Sequence, residues 1–501
     1  MKKITEQRKR QLAERALPES LFVIIVALLL VVNVILFILT EAFDLYLYEP
    51  YSDDLTISGN TDTLFEKAIE EGRRVKISFC LDEDTLSKHN TGAYVYETAK
   101  EFKKRYPEFI ELEYINILTR RNSKGELVSL SKYTKDMEGN PQNLFKSSVI
   151  FESGSNYRVV TDSYTDTGYV DFYTLNANME VTSYNGEEVM ASMISWVLKK
   201  EHKTAYFTQY HGEVSDISFS NLLISAGYNV KVIDLKKEEV PSDAGLVVIS
   251  NPTADFERAY EGSGVRAEID RLNTYLENGG NLFVALDPYV KTLPTLEAFL
   301  AEHGISFSYT TDKNGRALRN LVKDIENAIT TDGFTLVTEY SDSPLAEKIK
   351  GKVEKYTDGD VIIREACALS LSGAAKPLLI SSDTSSIEAG GEKIDTDGGY
   401  CVGAYSEAGD GNVFVVPSIY LAVSDSLVTN GYSNKEMIFA LLEELYGADS
   451  MPYGCKITSY DTSTLENLTM GTAIRYTVFF MSIPAVIALC GAVVVIRRKY
   501  K

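Results

Sequence analysis

Two uncharged apolar runs constrain this chain more than anything else in it. Residues 21–39 read LFVIIVALLLVVNVILFIL, 19 residues with a single amide, Asn33. Residues 476–496 read YTVFFMSIPAVIALCGAVVVI, 21 residues with Pro484 as a mild kink. At 1.5 Å per residue the first run covers about 28 Å, close to the roughly 30 Å hydrocarbon core of a bilayer. Both runs are therefore expected to be transmembrane helices. A cleaved signal peptide is the alternative for residues 21–39. The run is longer than the usual apolar stretch of roughly 7–15 residues, and no A-x-A site follows in residues 40–44.

Flanking charge sets the orientation. Residues 1–20 carry Lys2, Lys3, Arg8, Lys9, Arg10 and Arg15, and residues 497–501 carry Arg497, Arg498, Lys499 and Lys501. Basic flanks stay in the cytoplasm, so both termini are expected there, with a large domain outside the cytoplasm. The whole chain has 50 Lys+Arg and 71 Asp+Glu, a formal net charge of -21. Ten of those basic residues and three of the acidic ones lie in the tails, so the acidity belongs to the exported part. Such a surface repels phosphate backbones, and no nucleic-acid partner is expected. A composition of 45% apolar and 24% charged residues excludes disorder as a whole-chain description.

Periodicity divides the exported part. Strands at 75–80, 110–117, 149–152 and 157–161 with a helix at 90–106 give a β-α-β-β order, expected to form a thioredoxin-like α/β module over residues 60–162. A connector with a hairpin covers 162–186. Residues 187–200 read as a helix and 204–208 as a strand. A helix at 218–226 and strands at 230–235 and 245–250 follow, then a helix at 265–278 and a strand at 281–286. This alternation predicts a doubly wound parallel sheet within a domain spanning 186–448. Residues 306–380 hold mixed strands and 382–399 a loop. Residues 399–405 and 412–417 form a hairpin, 434–445 a helix and 449–475 a tether. The expected class is α/β, with tail 1–20, span 21–39, the two α/β parts, span 476–496 and tail 497–501.

Catalytic signatures are missing. The chain has no G-x-x-x-x-G-K-[ST], no G-x-S-x-G and no H-E-x-x-H. Its four histidines, His89, His202, His211 and His303, do not suggest a metal site, and no calcium loop appears. No catalytic residue, metal or cofactor is expected. Cys80, Cys367, Cys401 and Cys455 lie in the exported part and Cys490 in the second run. None forms C-x-x-C, so isolated thiols are expected, with a Cys367–Cys401 bridge as the alternative.

One constellation stands out. His211-Gly212-Glu213 directly follows a strand, and in a parallel sheet ligands bind outside the carboxyl ends of strands. The pair could contact a ligand, act as acid and base, or bond the loop backbone and cap the next helix. Asp287-Pro288, also after a strand, carries the same alternatives.

At this turn the chain resembles a family. His211-Gly212-Glu213 after TAYFT looks like the G-H-G-E segment of the GldG-like, ABC-type auxiliary transport proteins. Gly186-Glu187-Glu188 with its helix, LVVISNPTADF and EIDRLNTYLENGGNLFVALDP extend the likeness, which is best over residues 186–288. Tyr210 stands where the family usually has Gly, and NVFVVPSIYLAVSDSL is only loosely similar to its later part. The resemblance implies a GIFT-type domain with a fold similar to class I glutamine amidotransferases. Those enzymes need a nucleophilic Cys at a strand-to-helix elbow, which has no counterpart here. The resemblance further implies an ABC permease and an ATP-binding subunit as partners, with Asn33 and Pro484 as candidate permease contacts. The expected function is a membrane-embedded, non-enzymatic auxiliary subunit that binds an unknown envelope ligand through His211, Gly212, Glu213 and Asp287. Two alternatives stand beside it. One is an extracytoplasmic hydrolase using His211 and Glu213. The other is a ligand sensor, for which the cytoplasmic tails are too short to hold a signalling domain.

Overall fold

In VKISF and IELEYIN the β-branched and aromatic residues favour extended backbone, and in the computed structural model these segments are neighbouring parallel strands. The structure describes residues 55–161, 168–175, 181–214, 216–258, 266–429, 431–449 and 451–459. The two apolar runs, with Asn33, Pro484 and Cys490, lie outside the described residues. Among the described residues no helix is long and apolar enough to cross a membrane.

The first module is a five-stranded sheet. Its strands are β1 (Val75–Phe79), β2 (Ile110–Asn116), β3 (Arg121–Asn122), β4 (Val149–Ser153) and β5 (Asn156–Val160), in the order β3-β2-β1-β4-β5. Only β1 and β2 are parallel; the other pairs are antiparallel. The Gly92–Arg105 helix makes the parallel crossover and buries Val95, Ala99 and Phe102 at helical spacing. The Gly186–Leu198 helix, placed by the sequence in the second domain, packs against β4 and β5 of this sheet and also against the Ile217–Ser225 helix. Twelve of its 13 residues are buried, which is what a helix covered from two sides needs.

The second part is built on a nine-stranded sheet. Its strands in chain order are β6 (Thr204–Thr208), β7 (Asn229–Ile233), β8 (Ala244–Ser250), β9 (Asn281–Ala285), β10 (Thr335–Tyr340), β11 (Val361–Arg364), β12 (Lys376–Ile380), β13 (Cys401–Ala408) and β14 (Gly411–Val416). Across the sheet they run β11-β10-β12-β13-β14-β9-β8-β6-β7. The five strands β7, β6, β8, β9 and β14 are parallel, in flavodoxin-like order 2-1-3-4-5. Alternate residues of each strand enter opposite cores. Leu246, Val248, Phe283 and Phe414 face the Ile217–Ser225 and Asn434–Glu444 helices. Val247, Ile249, Leu282, Val284 and Val413 face the Glu268–Glu277 and Pro294–Glu302 helices. Both faces being apolar explains the unbroken run GLVVIS.

Several expectations need correction. The sheet is mixed, not wholly parallel: β10, β11, β12 and β13 extend it antiparallel, β13 turning directly into β14 while the Pro344–Val353 helix joins β10 to its antiparallel neighbour β11. The expected loop 382–399 contains a hairpin, Ser386–Ala389 with Glu392–Asp395, whose first strand pairs with Leu321–Lys323. The Cys367–Cys401 bridge is absent: Cys80, Cys367, Cys401 and Cys455 are all free thiols. The expected tether is docked over its first part. Thr458–Ser459 pairs with Val181–Tyr184, Tyr453 stacks on Tyr356 with ring centroids 4.7 Å apart, and Cys455 is buried. The hairpin expected in the connector is present as Tyr173–Leu175 with Val181–Tyr184.

Candidate functional site

In a sheet of order 2-1-3-4-5 the chain switches direction between its first and third strands, here β6 and β8, and a crevice opens beyond their carboxyl ends. The His211-Gly212-Glu213 turn leaves β6 at that place. Tyr210 has φ +80° and Gly212 φ +73°. Two left-handed residues reverse the chain within a few positions, which is easy for Gly and strained for Tyr. A side chain at 212 would put its Cβ 2.2 Å from Thr253 Oγ1, so Gly is required by space as well. Tyr210, in the place where the resembling family carries Gly, keeps the glycine-like backbone and sends its ring outward, 64% exposed.

The turn points His211 inward. The residue is 1% exposed, and its ring stacks on Phe256 with centroids 4.0 Å apart and planes at 8°. Nδ1 lies 3.0 Å from Glu213 Oε1. Nε2 lies 2.9 Å from Glu268 Oε1, an ion-pair contact off the line of a hydrogen bond. The His211 carbonyl accepts the Thr253 and Ala254 N–H groups at 2.8 Å each. Glu213 Oε2 accepts the His211 backbone N–H at 2.7 Å, and Glu268 Oε2 accepts that of Glu257 at 2.8 Å. Burial works against a charge on the ring, but the two carboxylates outweigh it and push the His211 pKa up to about 9. Burial likewise raises the Glu213 carboxyl, yet the imidazolium and backbone donors hold it below the usual range.

This arrangement is an imidazolium held between two carboxylates. It ties the end of β6 to the loop after β8 and to the first turn of the Glu268–Glu277 helix. A base must be deprotonated and within reach of a substrate proton, and His211 at neutral pH is neither. The expected ligand-facing role of His211 is thus corrected to an inward-facing one. Helix capping is done by Asp216, whose Oδ1 accepts the Ser218 N–H at 2.7 Å. Asp287 closes its own turn: Oδ1 accepts the Tyr289 N–H at 2.8 Å, and its carbonyl accepts from Arg319 Nη1 at 2.9 Å. Its N–H donates to Asn251 Oδ1 at 3.2 Å, so the ends of β8 and β9 are tied together.

What lies open is beside the turn. A cavity of about 360 Å³ is lined by Gly212, Glu213, Tyr210, Val232 and Ser250. A second, of about 270 Å³, runs along the strand ends through Ser250, Ala285 and Val416 and is closed by Phe219, Phe283 and Leu421. Its polar groups are engaged: Ser250 Oγ donates to the Val214 carbonyl at 2.8 Å, and Asp216 Oδ2 accepts from Ser424 at 3.3 Å. Sequence reasoning found the turn and Asp287 but missed Glu268, Phe256, Ser250 and Asp216. Only Asp216, a cap before an apolar run, carried a local signal.

No cysteine ends any of the five parallel strands. Thr208, Ile233, Ser250, Ala285 and Val416 close the five parallel strands. Cys367 approaches there, its N–H 3.3 Å from the Pro417 carbonyl, but its thiol is buried and pushed up to about 12 by that burial. Among the described residues no group of three His, Cys, Asp or Glu could hold a metal ion.

No family model matches this sequence, and no curated protein matches it. Solved structures that match part of this chain include the mmIFT52 N-terminal domain, 16% identical over 49% of this chain and 99% of that one, with a TM-score of 0.37. A putative ThuA-like protein from Bacteroides uniformis is 12% identical over 50% of this chain and 97% of that one, TM-score 0.31. PurLQS from Thermotoga maritima is 12% identical over 48% and 98%, TM-score 0.29.

Proposed function

We propose that this protein is a membrane-anchored, non-enzymatic auxiliary subunit of an ABC-type transport system. The runs 21–39 and 476–496 hold it in the bilayer, both termini are cytoplasmic, and the α/β body binds an envelope ligand or partner outside. One observation carries this reading: the two ends of the body meet at one buried carboxylate. Glu187 Oε1 accepts from Ser58 N at 2.7 Å and Ser58 Oγ at 2.6 Å, and Oε2 accepts from Lys456 N at 2.8 Å. Ser58 and Lys456, near the two ends of the described body, therefore lie at one spot, which supports two anchors entering one bilayer face. Beside it, Glu188 pairs with the buried Lys435 at 2.8 Å, joining this junction to the Asn434–Glu444 helix under the large sheet.

The crevice at the ends of β6, β8, β9 and β14 is the surface we assign to the ligand or partner, with Gly212 and Glu213 on its rim. The chain has no nucleotide-binding motif, so energy for transport comes from a separate ATPase beside a permease. The test is purification of the tagged full chain from native membranes, together with protease treatment of intact cells. A multi-span permease and a P-loop ATPase should copurify, and externally added protease should cut within residues 60–450. Protection of that region in intact cells, or copurification without either subunit, overturns the reading. The hydrolase alternative would use His211, which is 1% exposed and lies between Glu213, Glu268 and Phe256, so this burial favours the non-enzymatic reading.

A further inference from the structure

The part of the body built on the large sheet has two ends, and its exposed apolar side chains gather at one of them. Tyr210 and Val214 follow β6, Ile217 opens the next helix, Val232 lies near the end of β7, and Tyr289 follows β9. Ile325 follows Leu321–Lys323, which bridges to Cys367, whose N–H meets the Pro417 carbonyl just past β14 at 3.3 Å. All six are therefore at the crevice end, and each is 59–74% exposed. At the opposite end, the turns 199–203, 241–243, 277–280 and 409–410 hold no exposed large apolar side chain among the described residues. Scattered exposed apolar residues need no explanation, but a set confined to one end marks an interaction surface.

Three helices place the Glu187 junction at that same end. The Ile217–Ser225 helix starts at the crevice, and Gly227, just past its last turn, lies against Lys199. The Asn434–Glu444 helix also starts at the crevice, where Asn434 Nδ2 donates to the Leu421 carbonyl at 3.0 Å. It finishes at the starts of the strands: the Leu445 carbonyl accepts from Asn412 Nδ2 at 3.0 Å, and the Tyr446 hydroxyl donates to the Leu282 carbonyl at 2.9 Å. The Gly186–Leu198 helix runs the same way. Glu188 in its first turn holds Lys435, and Lys199 at its end holds Asp449 at 2.9 Å. Glu187, with Ser58 and Lys456, is therefore at the crevice end, where the exposed apolar side chains are.

We propose that this end of the body rests on the lipid surface of the bilayer that holds the chain, with Tyr210, Val214, Ile217, Val232, Tyr289 and Ile325 as its contacts. This rests on the anchored reading above and deepens it, because the crevice then opens toward the membrane plane and its ligand or partner arrives from there. Residues 40–54 and 460–475 join the body to the two apolar runs. Fully extended, each reaches about 50–55 Å at most, so the end from which both begin is held within reach of lipid. Tyrosines beside aliphatic side chains, supplied by separate loops, suit the boundary between headgroups and acyl chains. The neighbouring Lys236 and Lys237 are paired with Glu257 and Asp234, so the contact is apolar and made to zwitterionic lipid, not an attraction to anionic headgroups.

The test uses the full chain in phosphatidylcholine nanodiscs, with and without bromine near the top of the acyl chains. The chain has one tryptophan, Trp196, 3% exposed, so the parent is the blank for an added one. Ile217→Trp and Tyr289→Trp, both at exposed positions, should each lose about half of the added emission to brominated lipid. Glu277→Trp, exposed at the opposite end, should lose none. Leu29→Trp, within the first apolar run, reads the anchoring itself. No quenching at Leu29→Trp overturns the anchored reading and this proposal with it. Quenching there with none at Ile217→Trp and Tyr289→Trp, or with as much at Glu277→Trp, overturns this proposal alone. Adding Tyr210→Ser and Tyr289→Ser to Ile217→Trp should cut the quenching about threefold; unchanged quenching would leave the apolar contacts without a role. Quenching that requires phosphatidylglycerol, or that appears only beside a copurified membrane protein, also overturns the assignment to zwitterionic lipid.

Discussion

Two corners of this protein end a parallel strand and turn the chain, one at His211 after β6 and one at Cys80 after β1. The first has the more conspicuous sequence, a histidine and a glutamate about a glycine. Its polar groups nevertheless serve one another: Glu213 and Glu268 take the two ring nitrogens, and the carbonyl takes two N–H groups. The second corner reads as an unremarkable Cys-Leu-Asp, yet a buried serine hydroxyl there has no partner among the described residues. The difference teaches that chemical potential at a site lies in what the fold leaves uncommitted. Reactive residue types that the fold has already paired contribute to stability instead.

That contrast can be broken most directly at His211. His211→Ala leaves Glu268 buried beside a void, and removing one partner of a buried ion pair costs about 3–5 kcal/mol. Chemical denaturation should show a loss of that size. A variant as stable as the parent would return the turn to the list of binding sites. Glu187→Ala removes the acceptor shared by Ser58 and Lys456 and should cost about 2–3 kcal/mol. Hydrogen exchange should then accelerate at both amides together; acceleration at one alone would mean that the two ends are held independently.

Gly212→Ala should cost about 2 kcal/mol in the same denaturation assay, since it meets both a left-handed backbone and Thr253. The pH dependence is expected next. The His211 pKa, raised to about 9 from an unfolded value of 6.5, gives stabilisation that is complete below pH 6.5 and is lost as pH rises through 9. Glu213, with its pKa lowered from 4.5, gives stabilisation present above pH 4.5 and lost as pH falls through its folded value. Unfolding free energies at pH 6.5 and 9.5 should differ by about 3 kcal/mol in the parent. The difference should vanish in His211→Ala; its survival there would assign it to other groups. The smallest effect is a gain. Tyr210→Gly relieves a positive φ at an exposed position and should stabilise by about 0.5 kcal/mol, less whatever the contact of Lys237 with the ring supplies.

Much of the fold was legible in the order of residues. The strands β6, β8 and β9 and the helices between them were visible because each repeats its own apolar period. The β13–β14 hairpin was visible for the same reason. Residues 306–380 read as mixed strands, but how they pair in the antiparallel half of the large sheet was not legible. Nor was the separate small sheet of Leu321–Lys323, Ser386–Ala389 and Glu392–Asp395, whose strands are short and stabilised by partners far along the chain and not by their own pattern. The Gly186–Leu198 helix was recognised as a helix but not as the element that packs on both the small sheet of the first module and the Ile217–Ser225 helix. Its period reports that it is buried, not by what. In the candidate site, the turn and Asp287 were legible, whereas Glu268 and Phe256 were not, since nothing near them in sequence marks them as neighbours of His211.

Read alone, the chain determined the local matters: two apolar runs with basic flanks, an acidic centre, the alternation of strands and helices, and a sharp turn needing Gly212. These depend on hydropathy, charge and backbone sterics within a few residues. Tertiary structure decided whether each polar group is occupied. It turned His211 inward between two carboxylates, brought Ser58 and Lys456 to one glutamate, and left the Ser147 hydroxyl buried without a partner among the described residues. Burial and pairing are properties of residues that meet only after the chain has folded, and no local pattern carries them.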